Sequence, residues 1–275
     1  MNEAKLAKEK GNALLAAKDA SGAIGEFTRG LTLLASEAAS GEKSELESVL
    51  LSNRSAAHAS LRKWADSLSD GERAVAVRPT WSKAHARVGL ALFQLLRGED
   101  ALKSYQRALE LEPTSKPLAD NVKQAQDLVQ AIEFNVLADG FAAKRQWAAA
   151  VAHLQKSVEL APHAQLFWAS KAAACTQTGN FAQAILDAEQ AIRLAPDWFR
   201  GYHRKAEALS AQRKFDEALQ FFGAAVQLAP DVASLKNEFA QCQQEALNAR
   251  RRAQYEAEIA KAKADAEKTK GSEAK

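Results

Sequence analysis

Pro79, Pro113, Pro162, Pro196 and Pro230 close five similar stretches, AVAVRP, ALELEP, SVELAP, AIRLAP and AVQLAP, at one phase of a 34-residue period. A period of this length rules out a single globular core. Each unit is instead a pair of helices that can bury its apolar face only by stacking on its neighbours. The expected fold class is all-α, an α-solenoid of stacked helix hairpins. Such arrays present concave surfaces to other proteins, so the first functional expectation is an interaction scaffold.

Composition narrows the alternatives. Alanine, leucine, lysine, glutamate and glutamine dominate, and only 13 glycines and 6 prolines interrupt 275 residues, which favours helix. The 37 basic and 34 acidic residues are interleaved, and a net charge of +3 offers no dedicated surface for nucleic acid or an anionic membrane. The longest apolar run, residues 88–96, is too short to cross a bilayer, and the polar start MNEAKLAKEK is unlike a leader, so a cytoplasmic location is expected. Cys175 and Cys242 fall on different expected helices and read as buried apolar residues. His58, His85, His153, His163 and His203 form no histidine pair spaced i, i+4, and no nucleophile elbow or phosphate loop is present. No metal, cofactor or catalysis is therefore expected, and a monomer is.

Aligning the prolines starts units near Ser48, Ser82, Ala131, Gln165 and Phe199, with small residues at matching offsets. Ser55, Gly89, Ala138, Ala172 and Ala206 share one place; Ser67, Ala101, Ala150, Ala184 and Ala218 share a second; Ala74, Ala108, Ser157, Ala191 and Ala225 share a third. Small side chains suit points where helices approach closely, with Leu92, Tyr105, Phe141 and Leu154 filling between. On this pattern the chain resembles the tetratricopeptide repeat (TPR) family over nearly its whole length. A further unit opens at the N-terminus, with Gly11, Ala23, Phe27 and Gly30 in the expected places and Ala35 where the proline would stand. Six repeats are expected.

The phase slips twice. About ten extra residues, 36–47, follow the first unit and are small and polar, which predicts a slightly longer second helix and then a loop. Fifteen more follow Pro113, carrying Leu118, Val122, Ala125 and Val129 at helical spacing, which predicts an added capping helix. No glycine or proline lies between Leu118 and Asp139, so this cap is expected to run directly into the next unit. The expected organisation is two three-repeat modules, residues 1–130 and 131–245, each ending in a capping helix. Val232, Leu235, Phe239, Cys242 and Leu247 form the second cap, and residues 246–275 form a charged helical extension with a frayed tail. The run Arg250, Arg251, Arg252 is a candidate basic patch, but acidic residues follow it and Tyr255 is its only aromatic neighbour, which fits a solvated helix face.

In a TPR array the first helix of each unit lines the groove. Lys8 and Asn12 of unit one and Lys83 and Arg87 of unit three are i, i+4 pairs, each on one helix face, with Asn53 of unit two between them. No acidic residue occupies an equivalent groove place in these units, and three cations left close together point to an anionic ligand with more than one negative charge. A C-terminal aspartate carries two such carboxylates, and the asparagine amides add directed neutral donors. LAKEKGNALL (6–15), SNRSAAH (52–58) and KAHARVGLAL (83–92) are similar to the carboxylate-clamp segments of TPR co-chaperones of the stress-inducible Hsp-organising type. That resemblance implies a peptide carboxylate site of Lys8, Asn12, Asn53, Lys83 and Arg87. It implies as partners the C-terminal EEVD peptides of the 70-kDa and 90-kDa heat-shock chaperones. Leu15, Ala56 and Ala59 either form a side pocket for the peptide or pack within the repeats. The alternative function is a general TPR scaffold or import receptor that reads an internal or targeting peptide. The second module departs from the pattern: the matching places hold Asn135, Asp139, Ser170, Arg200 and Arg204, a degenerate groove in which Asp139 is expected to pair with Arg204 or Arg200.

Overall fold

The computed structural model describes residues 1–273, with side chains through residue 263. Among these residues there are thirteen helices and no strand. Six hairpins are built from α1 (Asn2–Ala16) with α2 (Ala20–Ala35), α3 (Gly41–Ser60) with α4 (Trp64–Val77), α5 (Ser82–Gln94) with α6 (Gly98–Leu111), the end of α7 (Lys116–Ala143) with α8 (Trp147–Leu160), α9 (Gln165–Gln177) with α10 (Phe181–Leu194), and α11 (Phe199–Ala211) with α12 (Phe215–Leu228). The long α13 (Ala233–Glu273) follows. The chain divides into two compact units, Met1–Glu133 and Phe134–Lys275. No helix is long and apolar enough to cross a membrane among the described residues.

Every turn inside a hairpin uses the same device. The residues in left-handed conformation are Lys18, Arg62, Leu96, Arg145 and Arg213, at φ 57° to 64°, and Gly179 at φ 77°. In each turn the next residue donates its N–H five residues back, as Asp19 does to Leu14, Arg97 to Leu92 and Lys214 to Leu209. The left-handed residue itself donates three residues back, as Arg62 does to Ala59. This pair of bonds is the Schellman motif, and it satisfies the last carbonyls of the first helix while reversing the chain. Only one of the six positions is glycine, so five side chains carry the strain of positive φ.

The prolines end the second helices from outside. Arg78, Glu112, Ala161, Ala195 and Ala229 precede them with φ between −131° and −142°, out of the helical region. The proline ring clashes with a helical conformation in the residue before it, so the helix stops there.

The small residues mark where the two helices of a hairpin touch. A Cβ on Gly11 would stand 2.4 Å from the Phe27 ring, and one on Gly89 would stand 2.7 Å from the Tyr105 ring. Ser55 in the same place instead donates to the Ser67 carbonyl at 2.8 Å. The central repeat of each unit adds a buried ion pair at equivalent positions. Arg54 of α3 grips Asp70 of α4 with two bonds of 2.7 and 2.6 Å, and Lys171 of α9 meets Asp187 of α10 at 3.1 Å. The Lys171 and Asp187 side chains are only 7% and 1% exposed, so Lys171 relies on this carboxylate as its counter-charge, while Asp187 also accepts from Gln183 Nε2 at 2.9 Å.

Three details differ from the sequence reading. The loop after the first unit is confined to residues 36–40, and most of the extra residues extend the first helix of unit two rather than the second helix of unit one. Ser40 caps that extension by accepting from the Lys43 N–H, and Leu46 and Leu50 anchor it in the Phe27 cluster. In α7, Leu128 and Ala131 are buried with Leu118 and Ala125, while Val122 and Val129 lie at the edge of the stripe. The helix passes residue 131 without a coil break. In α13, Ala246 rather than Leu247 faces inward with Leu235 and Cys242, because the helical register places it one turn beyond Cys242. The backbone of the extension expected over residues 246–275 is helical through Glu273, and the last two residues of its expected frayed tail lie outside the described residues.

Gly179→Ala introduces positive-φ strain where the new Cβ meets nothing within 4 Å, so it should destabilise by about 1–2 kcal/mol. Arg213→Gly should shift the thermal midpoint the opposite way by a smaller amount. Circular-dichroism melts read both signs. Asp187→Ala should cost about 3–5 kcal/mol in urea unfolding, and replacing both members, Lys171→Met with Asp187→Leu, should recover most of that loss.

Candidate anion-binding groove

In the first unit α1, α3 and α5 lie in sequence along one side, α1 against α3 and α3 against α5. Lys8 and Asn12 are one turn apart on α1, Asn53 sits on α3, and Lys83 and Arg87 are one turn apart on α5. Asn53 Nδ2 donates to Asn12 Oδ1 at 2.8 Å. This bond ties the two helices and directs the Asn12 amide, whose own N–H groups remain available as donors.

The cations on this face have no counter-charge. Among the described residues none of Lys8, Lys83 and Arg87 forms an ion pair. Carboxylates on α3 and α4 are engaged by other cations: Glu42 by Lys5 at 2.6 Å, and Asp70 by Arg54. Arg87 is half-buried, and its Nε is out of contact with solvent and has no hydrogen-bond partner. Burial lowers its affinity for the proton, and neighbouring Tyr105 leaves the charge uncancelled because burial pushes the phenol above its ordinary range and keeps it neutral. Lys83 is held below its ordinary 10.5 first by desolvation and then by the Arg87 charge. The groove therefore stores unfavourable positive charge that an anion would relieve.

Leu15, Ala56 and Ala59 are all half-buried, and Leu15 packs against the Phe27 cluster while keeping part of its surface open. Packing and a side pocket are both compatible with that placement.

The second unit is arranged differently. Asn135 Nδ2 donates to Asp139 Oδ2 at 3.3 Å, one turn along α7, and Asp139 makes no salt bridge with either arginine. Arg204 is held by Glu207 of its own helix at 2.7 Å, and the Arg200 guanidinium lies over Trp198 and Phe199 at 5.8 and 6.0 Å. Local partners one turn away satisfy these groups more easily than a partner across the groove. Ser170 is half-buried on α9 and brings no charge. Sequence spacing had pointed away from one feature here, a contact between His203 Nε2 and Glu238 Oε2 at 2.6 Å. A search for paired histidines cannot find it, whereas the mixed pair His203 and Glu207, spaced i, i+4, would have.

Comparison with known proteins agrees with this architecture. The family model described as "Tetratricopeptide repeat" matches residues 167–197 and 199–232. "Heat shock protein STI1" of Saccharomyces cerevisiae is 37% identical over 125 residues, 45% of this chain and 20% of that protein. "Hsp70-Hsp90 organizing protein" of Triticum aestivum is 33% identical over 125 residues, 46% of this chain and 20% of that protein. The chain thus matches about a fifth of the length of these curated relatives. Among solved structures, the P58(IPK) TPR domain superposes with a TM-score of 0.61 at 16% identity, covering 90% of this chain and 67% of that one, which is a likeness of fold.

Removing one groove cation should stabilise the free protein. Lys83 binds its proton less tightly when folded than when unfolded, so its charge opposes folding at neutral pH and that opposition fades as pH rises toward 10.5. Lys83→Met is expected to raise the thermal midpoint at pH 7, with the gain over wild type shrinking at higher pH; an unchanged or lower midpoint at pH 7 contradicts the charge argument.

Proposed function

We propose that this tetratricopeptide-repeat chain is a non-enzymatic co-chaperone or adaptor whose first module, residues 1–130, captures the acidic EEVD C-terminus of 70-kDa or 90-kDa heat-shock chaperones. What supports the reading is a buried Arg87 Nε lacking a partner, beside Lys83 and with no counter-charge, together with the Asn53–Asn12 bond that joins α1 to α3. The name of the wheat relative, an Hsp70-Hsp90 organizing protein, supports the same partner class.

The terminal aspartate supplies a main-chain and a side-chain carboxylate a few ångströms apart. Lys8, Lys83 and Arg87 offer charge to this pair, and Asn12 and Asn53 offer amide donors that fix its orientation. The free groove is already short of negative charge, so binding recovers the free energy lost to desolvation and to repulsion between Lys83 and Arg87. Each charge-assisted hydrogen bond contributes about 1.5–3 kcal/mol net, and ordering a flexible tail opposes them, which places the affinity in the micromolar range, roughly −7 to −8 kcal/mol. Salt should weaken it.

The same reading assigns the second module, residues 131–245, a degenerate groove in which Asp139 opposes a carboxylate ligand, and residues 246–275 a charged extension. It places the protein in the cytoplasm with the chaperones.

Titration with an EEVD-ended peptide tests the proposal. Binding should disappear with Lys83→Ala or Arg87→Ala while helicity is kept, and it should also disappear when one residue is added after the aspartate. Normal affinity in either variant removes the clamp assignment. Normal affinity for the extended peptide favours a scaffold or import receptor that reads an internal sequence.

A further inference from the structure

The second unit holds a cluster that the groove reading does not use. His203 and Glu207 stand one turn apart on α11, and Glu238 reaches them from α13. His203 Nε2 lies 2.6 Å from Glu238 Oε2 and 3.8 Å from Glu207 Oε1. One ligand atom from each of the three residues lies within 4.8 Å of the other two. The histidine side chain is only 13% exposed, and its ring packs near Phe222 at 6.0 Å between centroids.

Two carboxylates therefore converge on one imidazole nitrogen, which carries at most one hydrogen and has formed its short bond with Glu238. Glu207 is held from the other side, its Oε2 accepting from Arg204 at 2.7 Å, so its Oε1 stays turned toward the ring. The cluster opens on a cavity of about 350 Å³ whose lining includes Glu207, Glu238, Glu245, Gln241 and Ser210. Among the described residues no lysine or arginine lines it. Three carboxylates thus line the cavity, and the His203 imidazole contacts two of them, Glu207 and Glu238.

We propose that His203, Glu207 and Glu238 form a binding site for a divalent transition-metal cation, with the imidazole nitrogen and two carboxylate oxygens as ligands. Mixed nitrogen and oxygen donors suit zinc and its neighbours, and three protein ligands leave a further position open toward the cavity. Convergence within 4.8 Å fits an ion better than an extended basic peptide, which would spread its contacts along the groove. Coordination needs Nε2 free of its hydrogen, so binding either releases a proton to solvent or selects the tautomer protonated on Nδ1. The consequence is structural. Two ligands come from α11 and one from α13, so the cation joins the C-terminal helix to the last repeat, where apolar contact rests on Leu235, Cys242 and Ala246.

Calorimetric titration of the chelator-treated full chain with zinc chloride tests this, alongside circular-dichroism melts. A single saturable site and a raised thermal midpoint are expected, with affinity reduced by about tenfold or more in His203→Gln and in Glu238→Gln. Glu238 is partly exposed, so Glu238→Gln should keep the helical spectrum and serves as the deciding variant if His203→Gln unfolds. Equal zinc affinity in wild type and Glu238→Gln overturns the proposal, as does an unchanged wild-type midpoint at saturating zinc. An arginine-rich peptide that fills the cavity and is not displaced by zinc overturns it in favour of a basic peptide ligand.

Discussion

The fold depends on one steric constraint, the contact between the two helices of a hairpin at a position with little or no side chain. Phe27 occupies the space where Gly11 would carry a Cβ, and Tyr105 does the same against Gly89. Each contact fixes how the first helix of its repeat lies against the second, and thus which residues remain on the open side. Lys8 and Asn12 lie on the same helix as Gly11, and Lys83 and Arg87 on the same helix as Gly89. The proposed anion-binding face is thereby positioned by residues that contribute nothing to its chemistry.

Charge is distributed by the same logic. Where a cation faces the partner helix of its own hairpin it is paired and buried, as Arg54 is with Asp70 and Lys171 with Asp187. Where it faces the groove of the first unit it is left without a carboxylate. Lys83 and Arg87 therefore carry an electrostatic cost in the free protein, which is the physical basis for proposing a site there. The second unit has resolved its own groove charges locally, through Arg204 with Glu207 and Asn135 with Asp139, so it has less unsatisfied charge to offer a ligand.

Much of this was legible before any coordinates. The five repeat prolines mark where second helices stop, because an X-Pro bond disfavours a helical conformation at the preceding residue, whereas Pro117 sits in the first turn of α7, where a proline is tolerated. The small positions follow from the repeat because close approach tolerates few residue types. Less visible was the shared left-handed turn, since Lys18, Arg62, Leu96, Arg145 and Arg213 are not residues that advertise positive φ. The small, polar extra residues after the first unit predict a slightly longer second helix and a loop, yet Leu46 and Leu50 draw most of them into α3 by burying an apolar stripe against Phe27.

The sequence by itself determined the period, the helix ends, the count of repeats and the five residues whose types and spacing suit a dicarboxylate ligand. These are local matters of backbone sterics and helical phase, which neighbours along the chain decide. Tertiary structure alone decided which polar groups found partners between helices: Asn53 with Asn12, Glu238 with His203, and Arg87 Nε with none. Hydrogen bonds and ion pairs require heavy atoms within about 3 Å, a tolerance finer than helical spacing can specify. That tolerance is met only once the packed helices have set their register.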